Sequence, residues 1–376
     1  MKFFWPIIFF VLPLAGVTYS LLRVWTLLPL GTVGRSAVVG VLLLCFLTVF
    51  FNFFGGLDRL PMTWAEVCYE VGYSSIFILL YVVLLFLLLD LGRLAHLVPP
   101  SLLRHSWAGT GLVTAIIFAI FLYGNLHYGR KYRQPVALET PGKKMARPLK
   151  IIMLSDLHLG YHNRAGEFGR WVDLINAEHP DLVLVAGDIV DGSIRAIRQQ
   201  DMAAVFRRIQ APVYACLGNH DMAPLPTVER VLKEGGFTLL RNSATFVSIP
   251  RLNNAEFKLV GLGDLREGDF FPERCMTPSD LVENNPTLPT IVLSHTPQGR
   301  HYLDHYHWDL MLSGHTHGGQ IKLPFFSKPL LTSDEQTMFS GLYDYKGKTI
   351  FVTRGIGYVG PGRFNCPPEI NLLIIP

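Results

Sequence analysis

The stretch Leu182-Val183-Leu184-Val185-Ala186-Gly187-Asp188-Ile189-Val190-Asp191 opens as an unbroken apolar run and then meets a glycine and two acids. An apolar run without polar alternation suits a strand covered on both faces, as in layered α/β domains. The pattern repeats on either side. Upstream, Lys150-Ile151-Ile152-Met153-Leu154 runs into Ser155-Asp156-Leu157-His158. Downstream, Val213-Tyr214-Ala215-Cys216-Leu217 runs into Gly218-Asn219-His220-Asp221, and Thr290-Ile291-Val292-Leu293 into Ser294-His295. Leu310-Met311-Leu312 leads to Gly314-His315-Thr316-His317. Further strands are expected at Lys258-Leu259-Val260, Thr349-Ile350-Phe351-Val352 and Asn371-Leu372-Leu373-Ile374. Between them, Phe168, Trp171, Val172 and Ile175 share one helical face. So do Val228, Val231 and Leu232, with Thr227 as the expected N-cap and Gly235 as the stop. From 150 to 376 the chain therefore reads as one α/β domain.

In open α/β sheets, ligands collect at the carboxyl ends of strands. Five strand ends here carry polar strings, and Gly187, Gly218 and Gly314 are expected to let the backbone turn there. Taken singly, each string is weak. An Asp-x-His is usually a solvated turn, and the Asn of a Gly-Asn pair commonly serves a turn's backbone. Five in order, each behind an apolar run, point to convergence on one rim. The side chains are carboxylate, amide and imidazole, with no thiolate, which suits a hard-to-borderline divalent cation. Asp156, His158, Asp188, Asn219, His295, His315 and His317 supply seven candidate ligands, enough for two ions if one group is shared. Asp188 is the natural bridge, because a carboxylate can serve two ions roughly 3.5–4 Å apart. Mn, Fe and Zn all suit this donor set. His179, His301, His305 and His307 fall outside the pattern and read as surface or packing residues; His162 is left unassigned.

The order Asp-x-His, Gly-Asp-x-x-Asp, Gly-Asn-His-Asp, His and Gly-His-x-His resembles the calcineurin-like metallophosphoesterase superfamily across essentially all of 150–376. Gly318-Gly319-Gln320 and the tail Arg354-Gly355-Ile356-Gly357 with Arg363-Phe364-Asn365-Cys366-Pro367-Pro368-Glu369-Ile370 are similar to its bacterial membrane-associated branch. The resemblance implies a two-sheet β-sandwich core of facing mixed sheets flanked by helices. It implies one ion held by Asp156, His158, Asp188 and His317, and another by Asp188, Asn219, His295 and His315. It also implies that His220 is no ligand but meets the phosphate and protonates the leaving oxygen, with Asp221 orienting it. The expected substrate is a phosphomonoester, phosphodiester or pyrophosphate. A lipid-linked one such as UDP-diacylglucosamine is a concrete candidate. The competing reading is a non-enzymatic metal-binding sensor or scaffold, a class that usually loses ligands.

Residues 1–128 read differently. Half of the 376 residues are hydrophobic and only 16% are charged, too apolar for an ordinary soluble chain. Four runs approach the roughly 20 residues a membrane helix needs, at 3–22, 37–54, 73–89 and 107–123. The first is expected to stay as a span, since it lacks a clear small-residue cleavage site. As drawn, the runs contain almost no charge, which favours anchoring over transport. Residues 129–149 form a basic linker with a first strand. Its Arg130, Lys131, Arg133, Lys143, Lys144 and Arg147 put the catalytic domain on the cytoplasmic side of a bacterial inner membrane and offer contact with anionic lipid. A net charge of +4, clustered beside a hydrophobic run, does not suggest nucleic acid. The five Cys are scattered and odd in number, so no disulfide framework is expected.

Overall fold

The computed structural model describes residues 11–138, 148–221, 225–250, 255–263, 281–282, 288–319, 338–358, 363 and 366–375. It divides into two compact units, the first built from the N-terminal helices and the second beginning at Tyr128.

The first unit holds α1 (Leu12–Leu27), α2 (Thr32–Phe53), α3 (Met62–Leu94) and all but the last two residues of α4 (Trp107–Gly129). Three of these helices, α2, α3 and α4, are long and apolar enough to cross a bilayer. Three helices meet that measure among the described residues, where four spans were expected. The described part of α1 has 16 residues, about 24 Å at 1.5 Å per residue, and residues 3–10 of the expected first span lie outside the description. The third span also grows. As α3 it has 33 residues, about 50 Å, and takes in Glu66, Glu70 and Asp90. Asp90 accepts from Tyr19 Oη at 2.6 Å and pairs with Arg23 at 2.6 Å, so both charges are held within the unit. At Gly72 of α3 a Cβ would crowd Asn52 Nδ2 and the Val49 backbone, the close approach that small residues allow between membrane helices.

The second unit is built on two six-stranded sheets. The first has the order β1-β12-β2-β3-β4-β5, with β1 (Tyr132–Ala137), β2 (Leu149–Leu154), β3 (Leu182–Ala186), β4 (Val213–Cys216), β5 (Phe237–Leu239) and β12 (Glu369–Ile375). Strands β2 to β5 are parallel, and β12 runs against β2. The second has the order β10-β11-β9-β8-β7-β6, with β6 (Ser243–Ile249), β7 (Ala255–Gly261), β8 (Thr290–Leu293), β9 (Leu310–Ser313), β10 (Gly341–Tyr345) and β11 (Lys348–Val352). Its inner four strands are parallel and its two edges antiparallel.

Side-chain alternation along each strand divides the core. Ile151, Met153, Leu182 and Leu184 join Leu259, Leu293 and Leu312 in one buried layer. Ile152, Leu154, Val183 and Val185 face the other way, against helices. Those helices are α5 (Ala165–Ala177), α6 (Ile194–Gln199), α7 (Met202–Phe206) and α8 (Leu225–Glu234). The expected face Phe168, Trp171, Val172 and Ile175 is fully buried here. The start of α8 is corrected: the helix already runs from Leu225, so Thr227 is inside its first turn and not its cap. Pro226 explains the early start, because its fixed φ suits a first helical turn. Gly235 does follow the last helical residue. Edge strands β6 and β10 alternate inward with exposed positions, β6 burying Val247 and Ile249 and β10 only half-burying its inward face, so they show no apolar run to read.

Candidate metal centre

All seven candidate ligands follow the carboxyl ends of parallel strands: β2, β3 and β4 of the first sheet, β8 and β9 of the second. The turns leaving these strands are conformationally unusual. Asp156, His158, Asp188, His315 and His317 all have positive φ, between 43° and 69°. Each such non-glycine residue costs roughly 1–3 kcal/mol and persists only where its surroundings over-determine it. Backbone bonds do this here: Asp156 N–H donates to the Gly187 carbonyl and His158 N–H to that of Asp188, both at 3.0 Å. The glycine expectation splits. Gly187 has φ +79° and supplies the turn, whereas Gly218 and Gly314 have no positive φ. They are needed for space, since a Cβ would overlap Asp188 at one and Ser155 and Asp156 at the other.

The seven candidate ligands supply two groups each able to hold an ion, Asp156, His158 and His317, and Asp188, His295 and His315; a third such group, His158, Asp191 and His220, shares His158 with the first. In the first, His158 Nε2 lies 3.3 Å from His317 Nε2, and Asp156 Oδ1 lies 3.6 Å from His317 Nε2. In the second, His295 Nε2 lies 3.1 Å from Asp188 Oδ2 and 3.2 Å from His315 Nδ1. Asp188 Oδ2 is also 3.7 Å from His158 Nε2, so this carboxylate stands between the groups. His295 Nδ1 donates to the Ala186 carbonyl at 2.8 Å, which orients the ring so that Nε2 faces Asp188.

Electrostatics favour a cation. Burial, aided by His220, pushes His158 down to about 4, and burial with Arg363 holds His317 well below its usual value. Both imidazoles are therefore neutral, the form that ligates metal. Burial would raise Asp188, but His295, His158 and His220 outweigh it and keep the carboxyl well below the usual carboxylate range. Asn219 Oδ1 is buried and, among the described residues, has no hydrogen-bond partner. A buried amide oxygen left unpaired costs on the order of 1–3 kcal/mol, which coordination would offset. The donor set and this orphaned oxygen fit a divalent ion.

His220 stands beside this cluster, its ring edge-on to His158 with centroids 4.6 Å apart. Its partner corrects an expectation. Asp221 does not orient His220. Its carboxylate accepts from the N–H groups of Ile189 and Val190 through Oδ1 and of Gly218 through Oδ2, at 2.8–2.9 Å. Those bonds use its oxygens to tie the loops after β3 and β4 together. The group at His220 Nδ1 is Asp191 Oδ1, at 3.1 Å. Burial would lower His220, but the Asp191 bond and the charges of Asp188, Asp191 and Asp221 raise it to about 9.

A family model described as calcineurin-like phosphoesterase matches residues 149–319, the span from β2 to just past His317. Phosphodiesterase YaeI of Escherichia coli (strain K12) is 35% identical over 238 residues, covering 61% of this chain and 83% of that protein. The chain belongs to the calcineurin-like phosphoesterases. UDP-2,3-diacylglucosamine pyrophosphatase LpxG of Chlamydia trachomatis is 27% identical, covering 60% of this chain and 83% of LpxG. A transmembrane protein with metallophosphoesterase domain from Danio rerio is 28% identical, covering 78% and 71%. The chain is thus a metal-dependent phosphoesterase, with a divalent-metal cluster of His and Asp and with helices suited to a membrane. The sensor reading is set aside.

Three residues of the phosphoesterase's site went unassigned in the sequence. Asp191 was visible in the Gly-Asp-x-x-Asp string, but its spacing does not say which side chain it meets. Asn163, 1% exposed, donates its amide to the carbonyls of Leu157, His158 and Tyr358 at 2.9–3.1 Å. Nothing local marks it. Arg363, fully buried, places Nη2 3.2 Å from His317 Nδ1 and donates to the Gly357 carbonyl at 2.5 Å. Its tail motif was legible and its role was not. His162 packs on the Tyr128 ring with centroids 5.5 Å apart, and it joins none of the three groups able to hold a metal.

Proposed function

We propose that this phosphoesterase holds two divalent ions and hydrolyses a phosphodiester or pyrophosphate carried by a membrane lipid. The observation carrying the two-ion reading is the place of Asp188 Oδ2, 3.1 Å from His295 Nε2 and 3.7 Å from His158 Nε2. Asp156, His158, Asp188 and His317 would hold one ion; Asp188, Asn219, His295 and His315 would hold the other. Mn, Fe and Zn remain the candidate metals for this oxygen and nitrogen set. Ions held there would supply Lewis acidity, drawing charge from phosphoryl oxygens and making a water molecule more acidic.

The chain's own groups do the rest. His220, half-exposed at the rim, presents the ring edge not taken by Asp191 and donates a proton to the departing oxygen. Asp191 keeps that imidazole charged and oriented. Asp221 holds the two loops so that His220 N–H reaches Asp188 Oδ1 at 2.9 Å. The lipid-linked substrate is supported by the apolar helices and by the likeness to LpxG, a pyrophosphatase acting on a diacylated nucleotide sugar. The basic residues Arg130, Lys131 and Arg133 after α4 support a catalytic unit on the cytoplasmic face of a bacterial inner membrane.

The test is hydrolysis by the full-length protein in detergent, with Mn²⁺, of a nitrophenyl phosphodiester, a nitrophenyl monoester and a diacylated nucleotide-sugar pyrophosphate. The reading expects the lipid pyrophosphate to give the highest kcat/KM. A water-soluble monoester preferred over both others would sink the substrate assignment while leaving the metal site intact.

A further inference from the structure

We propose that Tyr128, through Asn163, is a positioning residue for His158 and so for metal binding. The inference rests on the reading of His158 as a ligand. His158 has φ +43°, a backbone state that must be held from outside. Its carbonyl and that of Leu157 accept from Asn163 Nδ2 at 3.0 and 2.9 Å. The same amide reaches the Tyr358 carbonyl at 3.1 Å and ties the C-terminal tail to this loop.

An amide can do this only in one of its two orientations. Turned over, it would set its oxygen against three carbonyl oxygens. Tyr128 decides which orientation holds. Its buried hydroxyl donates to Asn163 Oδ1 at 2.5 Å, so the NH₂ must face the carbonyls. The tyrosine is itself fixed, with Lys131 Nζ 3.6 Å from the centre of its ring and donating to its carbonyl at 3.1 Å. Lys131 Nζ also lies 4.6 Å from the Trp171 ring, which anchors the arrangement on α5.

Tyr128 lies in the last turn of α4 yet packs as the first residue of the second unit. The residue that orients the clamp on His158 is thus the next-to-last of a helix that is long and apolar enough to cross a bilayer. A chain begun at Gln134 would lose Tyr128, Lys131 and the start of β1.

The test uses the full-length protein in detergent, comparing wild type, Tyr128→Phe, Asn163→Ala and the double variant. Mn²⁺ affinity is measured by calorimetry, metal content by elemental analysis, and unfolding is followed on the metal-free proteins. Tyr128→Phe is expected to weaken binding of one ion about 10- to 100-fold, the usual effect of losing a group that orients a ligand. Its metal-free unfolding should match wild type, and excess Mn²⁺ should restore its rate. The double variant should be no weaker than Asn163→Ala, because both changes break one chain of contacts. Unchanged affinity in Tyr128→Phe, additive losses, or a fall in metal-free stability of equal size would overturn the proposal. If wild type itself bound no metal, the ligand reading of His158 would fail first, a separate and recognisable outcome.

Discussion

The two sheets of the catalytic unit contribute opposite chemistry to one rim. The first sheet, through the turns after β2, β3 and β4, supplies both carboxylates, the amide of Asn219 and one imidazole. The second, after β8 and β9, supplies three imidazoles and no acid. The carboxylates are therefore concentrated on one wall and most of the donor nitrogen on the other. The acid wall is braced more heavily: Asp221 collects three N–H groups, and His220 N–H bonds Asp188. Carboxylates that lie close together repel, so the wall that carries them needs fixed backbone dipoles to hold its shape. Across the rim, His315 N–H reaches back to Asp156 at 3.1 Å, so each wall also orients the other.

The sharpest way to break the asymmetry is Asp188→Asn. It removes the charge that faces both groups, so both metals and nearly all turnover should be lost together. Elemental analysis alongside a rate assay checks this; full retention of either ion would remove Asp188 from the bridging position. His295→Ala, on the imidazole wall, should instead cost one ion and leave the other, and loss of both would show that the walls do not act separately.

His220→Ala should keep two metals per chain while lowering the rate roughly 10²- to 10⁴-fold, the usual worth of a positioned general acid. The loss should shrink for a nitrophenolate leaving group, which hardly needs a proton. An equal loss on good and poor leaving groups would contradict the acid role. Asp191→Asn should give a smaller loss of the same leaving-group dependence, since it disturbs only the orientation and charge of His220. Asp221→Asn should show no such dependence but should lower thermal stability, because it loosens two loops at once.

The smallest effect concerns the metal-free protein. His220 is raised from 6.5 to about 9, so its pairing with Asp191 stabilises the fold fully below pH 6.5, and that contribution is lost as pH rises through about 9. NMR titration of the metal-free protein should show this midpoint, and Asp191→Asn should bring it down. A wild-type midpoint near 6.5 would mean that the pair does not form.

The sequence by itself determined the inner strands and the residues at their ends. These strands are covered on both faces and read as apolar runs, and a polar string directly behind such a run can only lie at a rim. Edge strands β6 and β10 escaped because one face is open and their pattern is mixed. The length of α3 escaped because Glu66, Glu70 and Asp90 interrupt the apolar count without ending the helix. Only the tertiary structure decided which acid serves His220. Asp191 and Asp221 sit at similar distance along the chain from strand ends, and their roles part only when the loops after β3 and β4 are packed together. The same holds for Asn163 and Tyr128, 35 residues apart and joined by one hydrogen bond. A ligand's chemistry is written in its side chain, whereas its orientation depends on which distant group reaches it.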